Sequence, residues 1–388
     1  VINFNNTEIA FKSKSDSELR QAYWLFKLIG SPTLVKLGKA FTLFALKIKL
    51  PIKGMIRATI FKQFCGGEKV SQCDSAIAHL GKYGVGTILD YSVEGKTSDE
   101  DFETTVLEII KTIEKGKDDP NIPFAVFKVS GIARFGDLEK ISLAIENNEV
   151  IDKELETIIL GRIERICTAA FVYNVPVFID AEESWIQACL DHWCLEMMLR
   201  YNKEKAIVFN TLQMYRHDRL AFLKDCHVLA QTHGIKYGIK LVRGAYMEKE
   251  RERALKMNYL DPIQATKEAT DSDFNKAMEF ILANLADFAL VAGTHNEESS
   301  LLLTQLMAKF NIDSSTPSIY FAQLLGMSDH LSYNLANEGF NVAKYVPYGP
   351  IEEVMPYLLR RANENTSVAG QTSRELKLIQ QERNRRRL

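Results

Sequence analysis

Arg360 and Arg361 stand side by side in the stretch YVPYGPIEEVMPYLLRRANEN, residues 345–365, with Tyr357 before them and Glu364 after. Two adjacent guanidiniums offer two planar forks of N–H donors, an arrangement suited to both oxygens of a small carboxylate. A helix must position them. Pro350 suits the first helical position, Glu352 and Glu353 complement the positive end of the helix dipole, and at about 100° per residue Ile351, Val354, Met355, Leu358, Leu359 and Ala362 form one apolar stripe. Tyr357, Arg360, Arg361 and Glu364 gather on the other side. That side has two uses open to it: a solvated face on which Glu364 pairs with an arginine one turn back, or a clamp for an anionic ligand.

The elements upstream give the arginines company. Apolar, β-branched runs occur at TILDYS (87–92), AVFKVS (125–130), VPVFIDAE (175–182), AIVFNTLQ (206–213), YGIKLVRGAY (237–246), FALVAGTHN (288–296), SIYFAQLLG (318–326) and VAKYVPYG (342–349). Amphipathic helical stretches separate them. Eight buried-type strands, each followed by a helix, predict a (β/α)8 barrel. The GxG of GKYGVGT precedes the first strand rather than following it, so it reads as a turn and not as a dinucleotide fingerprint. In such a barrel the chemistry sits at the C-terminal strand ends. Those ends carry Asp90, Tyr91 and Ser92; Lys128; Asp180 and Glu182; Gln213; Arg243 and Tyr246; His295 and Asn296; Gln323; Tyr345 and Tyr348. This is a polar mouth without a metal motif, a GxSxG elbow or a Cys/His nucleophile pair.

Composition sets the frame. The chain has 388 residues, 46% hydrophobic and 25% charged, as a globular protein does. A formal charge of −2 gives no general attraction to nucleic acid. No apolar run approaches a membrane span; TLFALKIKLPIKGMI (42–56) reads as a buried or docking helix, with surface attachment to a membrane as the alternative. The six cysteines show no paired CxxC spacing, which fits a reducing compartment. His192 and Cys194 lack the second pair that a zinc site needs. Three parts follow along the chain: an N-terminal helical arm (1–70), the barrel (71–370) and a basic tail (371–388). The tail ends QQERNRRRL and reads as solvated or disordered, or as a contact for an anionic bilayer surface.

Several stretches together carry a resemblance. KLVRGAYM, VAGTHN, QLLGM and the arginine stretch, in that order and spacing, with FCGGE, FKVSG and IDAE, resemble the proline dehydrogenase family, in its single-function branch. The resemblance implies a barrel whose last helix lies over the mouth, FAD across that mouth and L-proline against the isoalloxazine. It implies hydride transfer from proline to flavin N5, giving Δ1-pyrroline-5-carboxylate, with electrons passed to a membrane quinone.

It also assigns residues. Arg360 and Arg361 match the pair that holds the proline carboxylate, Tyr357 and Leu324 line the pocket, and Tyr345 presses on the substrate ring. Glu364 helps set the arginine and flavin surroundings. Gln213, Arg243, Gly244, Ala245, Tyr246, Thr266, His295 and Asn296 match cofactor positions; glycine at 244 would let the backbone approach the cofactor closely. Arg243 would neutralise pyrophosphate or instead serve as a structural ion pair. Lys240 stands where fused bacterial members have an arginine near flavin N5, and Ser92 where they have an aspartate. Lys128 ends its strand as in the family and lies on the substrate side; the roles of Asp90 and Lys53 stay open.

Rival readings remain. Members that prefer hydroxyproline tend to carry a small residue where this chain has Tyr345, so the tyrosine favours proline. A flavin-free Schiff-base lyase would use Lys128 as nucleophile, and a non-catalytic barrel would only bind an amino acid. The resemblance implies a bacterial cytoplasmic protein with peripheral contact at the inner membrane, or a mitochondrial one if the chain is eukaryotic and a transit peptide has been removed.

Overall fold

The computed structural model describes residues 2–31, 33, 53–93, 97–367 and 371–388, leaving aside the side chains of 362–367 and 371–373. Most of the 42–56 segment lies outside the described residues; its end forms the helical turn Lys53–Ile56.

Eight strands appear where the apolar runs placed them. They are β1 (Val85–Tyr91), β2 (Phe124–Phe127), β3 (Val177–Ile179), β4 (Val208–Gln213), β5 (Tyr237–Val242), β6 (Phe288–Gly293), β7 (Ile319–Leu324) and β8 (Val342–Tyr348). They close in sequence order into a barrel, and the pairing is parallel, β1 running beside β8 from Val85 opposite Val342 to Tyr91 opposite Tyr348. Strands covered on both faces need apolar residues at successive positions rather than alternation, and every residue of β2, β4 and β8 is buried. Gly84 makes a left-handed turn (φ +73°) into β1, as the position of its GxG suggested.

The chain divides into two compact units, residues 1–94 with 323–388, and residues 95–322. In the first, the helix Asp16–Ile29 opens on a capping box between Ser15 and Glu18. A core of Phe11, Leu19, Phe26, Phe64, Leu358 and Leu378 joins that helix to the helices Ile351–Ser367 and Gln371–Arg385. The basic tail is therefore a helix with one side packed and the other, with Asn384 and Arg385, in solvent, as is Arg387 just past its end. Leu378, Ile379 and Glu382 are buried on one side of a helix, and Arg386 donates to the carbonyls of Phe11 and Lys14 (2.9 and 2.8 Å) and to Glu382 (2.7 Å). The arginines concealed an apolar stripe at helical spacing.

The second unit holds β2 to β6 and most of β7. Phe124, Phe178, Phe209 and Tyr320 form an aromatic cluster, Phe124 stacking on Phe178 at 4.6 Å and meeting Tyr320 edge-on at 4.8 Å. Gly238 lies opposite Phe209 in the ladder, and a Cβ there would come within 2.6 Å of the phenyl ring and of the Val208 carbonyl.

Candidate active site

In the second unit, strands and the loops that follow them present the expected cofactor residues. Gln213 ends β4 with 3% of its surface exposed, and its amide oxygen has no hydrogen-bond partner among the described residues. A buried acceptor left unmet costs free energy until a donor reaches it. Of the expected cofactor contacts, Gln213 thus offers a bound flavin an opening, and the residue fits such a group. Lys240, buried within β5, pairs with Asp180 and lies 5.4 Å from the Phe178 ring centroid. Asp180 also accepts from the Thr211 hydroxyl at 3.4 Å.

Arg243 takes the ion-pair alternative. Its guanidinium donates to Asp271 (2.6 Å), Thr294 (2.7 Å) and Ser299 (2.9 Å) and stacks over Phe274. The helices Lys267–Ala283 and Glu297–Lys309 supply Asp271 and Ser299, so the cation ties two helices to the end of β5. Gly244 has a packing reason independent of any cofactor. Its φ is +132°, and a Cβ would lie 2.5 Å from the Tyr215 ring. Ala245 is exposed, and Tyr246 begins the helix Met247–Met257. Thr266 and Asn296 are helix N-caps, accepting from Ala269 N–H (3.1 Å) and Ser299 N–H (2.8 Å). His295 is half-buried beside Asn296.

Lys128 follows β2 and acts electrostatically on a residue that sequence reasoning passed over as a site residue, Glu182. That carboxylate is buried after β3 and accepts from the Ser130 N–H at 3.0 Å and from the Ser130 hydroxyl. Burial pushes its pKa up to about 7, against the opposing pull of Lys128 and Ser130. Tyr215 was missed as well; it packs against Gly244 and donates its backbone N–H to the Arg243 carbonyl at 2.8 Å.

In the first unit, the helix Ile351–Ser367 carries the arginine pair. Ile351, Val354, Met355 and Leu358 are buried as the stripe predicted, but Tyr357, on the other side, is 6% exposed. A fully solvated face is thereby ruled out. Arg360 and Arg361 are half-buried, and the Arg361 guanidinium lies 5.1 Å from the Tyr357 ring centroid. The side chain of Glu364 lies outside the described residues. Tyr345 is buried in β8 and its carbonyl accepts from Leu325 N–H at 2.8 Å, next to the half-buried Leu324. Lys53 pairs with Glu352, and Ser92 donates to Asp90 at 2.6 Å.

Sequence reasoning also missed a buried charge network here. Lys344, fully buried in β8, donates to Asp329 (2.8 Å), to the Met327 carbonyl and to the Leu324 carbonyl (3.4 Å). Asp329 is shared with Lys14 at 3.2 Å. A lysine inside an apolar strand run was the available signal. No group of residues suited to a metal ion occurs among the described residues.

The family model described as proline dehydrogenase matches residues 73–374. A mitochondrial proline dehydrogenase 1 of Dictyostelium discoideum is 32% identical, covering 98% of this chain and 74% of its own. The carbapenem antibiotics biosynthesis protein CarD of Pectobacterium carotovorum is 33% identical over 93% of this chain and 94% of its own. A hydroxyproline dehydrogenase of Xenopus laevis is 29% identical over 97% and 88%. Among solved structures, proline utilization A from Bdellovibrio bacteriovorus superposes with a TM-score of 0.74 at 18% identity, covering 96% of this chain but 40% of that longer one, a likeness of fold. With the eight-stranded barrel, the match over residues 73–374 shows that the chain belongs to the proline dehydrogenase family.

Proposed function

We propose that the protein oxidises L-proline to Δ1-pyrroline-5-carboxylate with FAD as cofactor and a membrane quinone as final acceptor. The observation that carries this reading is the half-buried Arg360–Arg361 pair beside the buried Tyr357 on one helix, in a chain of this family. Two fixed guanidiniums satisfy both oxygens of one small carboxylate and thereby orient the ring. Tyr345, Tyr357 and Leu324 supply the apolar contacts that a pyrrolidine ring requires. Gln213, Tyr246, His295 and Asn296 would hold the flavin, which when bound supplies the two-electron acceptor. Arg243 stays with Asp271, Thr294 and Ser299, and contributes by fixing the turn that begins at Gly244.

Oxidation requires the ring nitrogen without its extra proton. Cations beside the carboxylate favour loss of that proton, so turnover rises above neutral pH. Lys128 interacts with the buried acid Glu182, and membership of the family favours the flavin reading over a Schiff-base role. The Xenopus relative motivates a second reading, hydroxyproline as substrate; bulky Tyr345, buried in β8, favours the unsubstituted ring. For attachment to a membrane, a peripheral contact is proposed, since no helix of the described residues is long and apolar enough to cross one.

The test is the visible spectrum of the purified protein during anaerobic titration with L-proline. A flavin band that bleaches with L-proline supports the proposal, and bleaching by hydroxyproline alone reverses the substrate. A protein that stays colourless and inactive after incubation with FAD overturns it. Arg361→Met should reduce turnover at least about a hundredfold, as expected when a charged partner of the substrate is removed. Near-full activity at saturating proline would remove Arg361 from the clamp.

A further inference from the structure

The loop that follows β7 is held by ties from three other parts of its unit. Leu325 N–H donates to the Tyr345 carbonyl at 2.8 Å. The Gly326 carbonyl accepts from the Gln63 amide at 2.9 Å, and Gly326 is left-handed with φ +76°, too close to the Gln63 carbonyl for any Cβ. Lys344 holds the Met327 and Leu324 carbonyls. Ser328 is also left-handed, φ +51°, a conformation in which a non-glycine residue is kept by its surroundings. Its fully buried N–H donates to the carboxylate of Glu375.

Glu375 stands apart from the other partners. It lies on the helix Gln371–Arg385, 47 residues after the serine it grips, and only 2% of it is exposed. Around it stand His330, whose Nδ1 is 3.9 Å away, and the Asp329–Lys344 pair. The carboxyl oxygen that faces Ser328 accepts from its N–H, and this enclosed contact fixes the donor in place.

We propose that Glu375 is a positioning residue for the substrate pocket. Through Ser328 it locks the loop 324–328, and with it the wall formed by Leu324 and the backbone tie to Tyr345. The segment after the arginine helix thereby sets affinity and selectivity for cyclic amino acids without touching them. This rests on the reading of Leu324 and Tyr345 as pocket residues given above.

The experiment compares the full, FAD-loaded chain with Glu375→Ala and Glu375→Gln. Glutamine keeps an oxygen that can accept from Ser328 N–H. In Glu375→Ala, KM for L-proline rises about tenfold with kcat within about twofold, and the preference for L-proline over 4-hydroxyproline narrows at least about threefold. Backbone hydrogen exchange in the peptide spanning 324–330 speeds up about tenfold, while flavin content stays at the wild-type level. Glu375→Gln stays within about twofold of wild type in each measure, by retaining the acceptor. If the alanine variant does not fold, Glu375→Asp, which withdraws the carboxylate by one carbon, carries the same comparison with a KM rise of about threefold.

An alanine variant that matches active wild type in KM and exchange overturns the inference alone. So does a loss of kcat in step with lost flavin in both variants, which marks a merely structural role. A wild type inert to L-proline overturns the functional reading, and this inference with it.

Discussion

The ends of β4 and β5 lie side by side, Gln213 opposite Val242 in the ladder, yet their polar residues behave differently. Arg243, just past β5, spends its donors on Asp271, Thr294 and Ser299. Gln213 is buried with an acceptor that nothing described satisfies. Both are polar residues at the rim of one barrel, and position alone gives them the same assignment. The difference lies in how each is met: a cation held by three protein acceptors fixes the scaffold, and an orphaned amide oxygen invites a ligand.

That contrast can be broken at four points, the largest effect first. Lys344→Met, at a fully buried cation with three protein acceptors, leaves Asp329 with Lys14 alone and should cost about 4 kcal/mol in urea unfolding. A loss under 1 kcal/mol would mean that saturation of a buried lysine does not identify a structural role.

Glu182→Gln tests the opposite case, a buried acid that titrates near neutrality. A folded-state pKa raised to about 7 from an ordinary 4.5 means that the neutral carboxyl stabilises the fold. That contribution is complete below about pH 4.5 and disappears as pH rises through 7. The amide variant has no such loss, so its stability relative to wild type should improve by about 3 kcal/mol between pH 4.5 and 8. An unchanging difference would show that Glu182 is ionised throughout.

Arg243→Gln should cost about 2 kcal/mol, the same with and without excess FAD, because what it loses is protein contacts. A loss that appears only with FAD would return Arg243 to the cofactor. Gln213→Leu is the mildest for folding. Its unfolding free energy should stay within about 1 kcal/mol of wild type, since an unmet polar group is replaced by an apolar one. Retention of flavin through gel filtration should fall, and unimpaired retention would leave the orphaned oxygen without a purpose.

The barrel was legible because its strands are buried on both faces, and such strands announce themselves as continuous β-branched runs. Even the shortest, Val177–Ile179, lay inside the predicted VPVFIDAE. The site was legible only in part. Residue type and strand-end placement marked Arg243, but its carboxylate is 28 residues away and its hydroxyls 51 and 56 away. No local pattern announces such partners. Thr266 and Asn296 matched cofactor positions, and they are also good caps, so the residue types did not discriminate between roles. The C-terminal segment misled because charge density outweighed Leu378 and Ile379, and because the groups that receive Arg386 are the backbone carbonyls of Phe11 and Lys14, invisible to sequence patterns.

All six cysteines are buried, and no disulfide joins any two of them. For Cys189 and Cys226, burial pushes the thiol pKa up to about 12, so neither supplies thiolate at neutral pH. A thiol reagent added to the native protein therefore finds a target only when the surrounding structure opens. Cys65 and Cys73 belong to one compact unit, and Cys167, Cys189, Cys194 and Cys226 to the other. The chain thus carries two sets of natural timers: the order in which its thiols are modified reports, with no added label, which unit opens first.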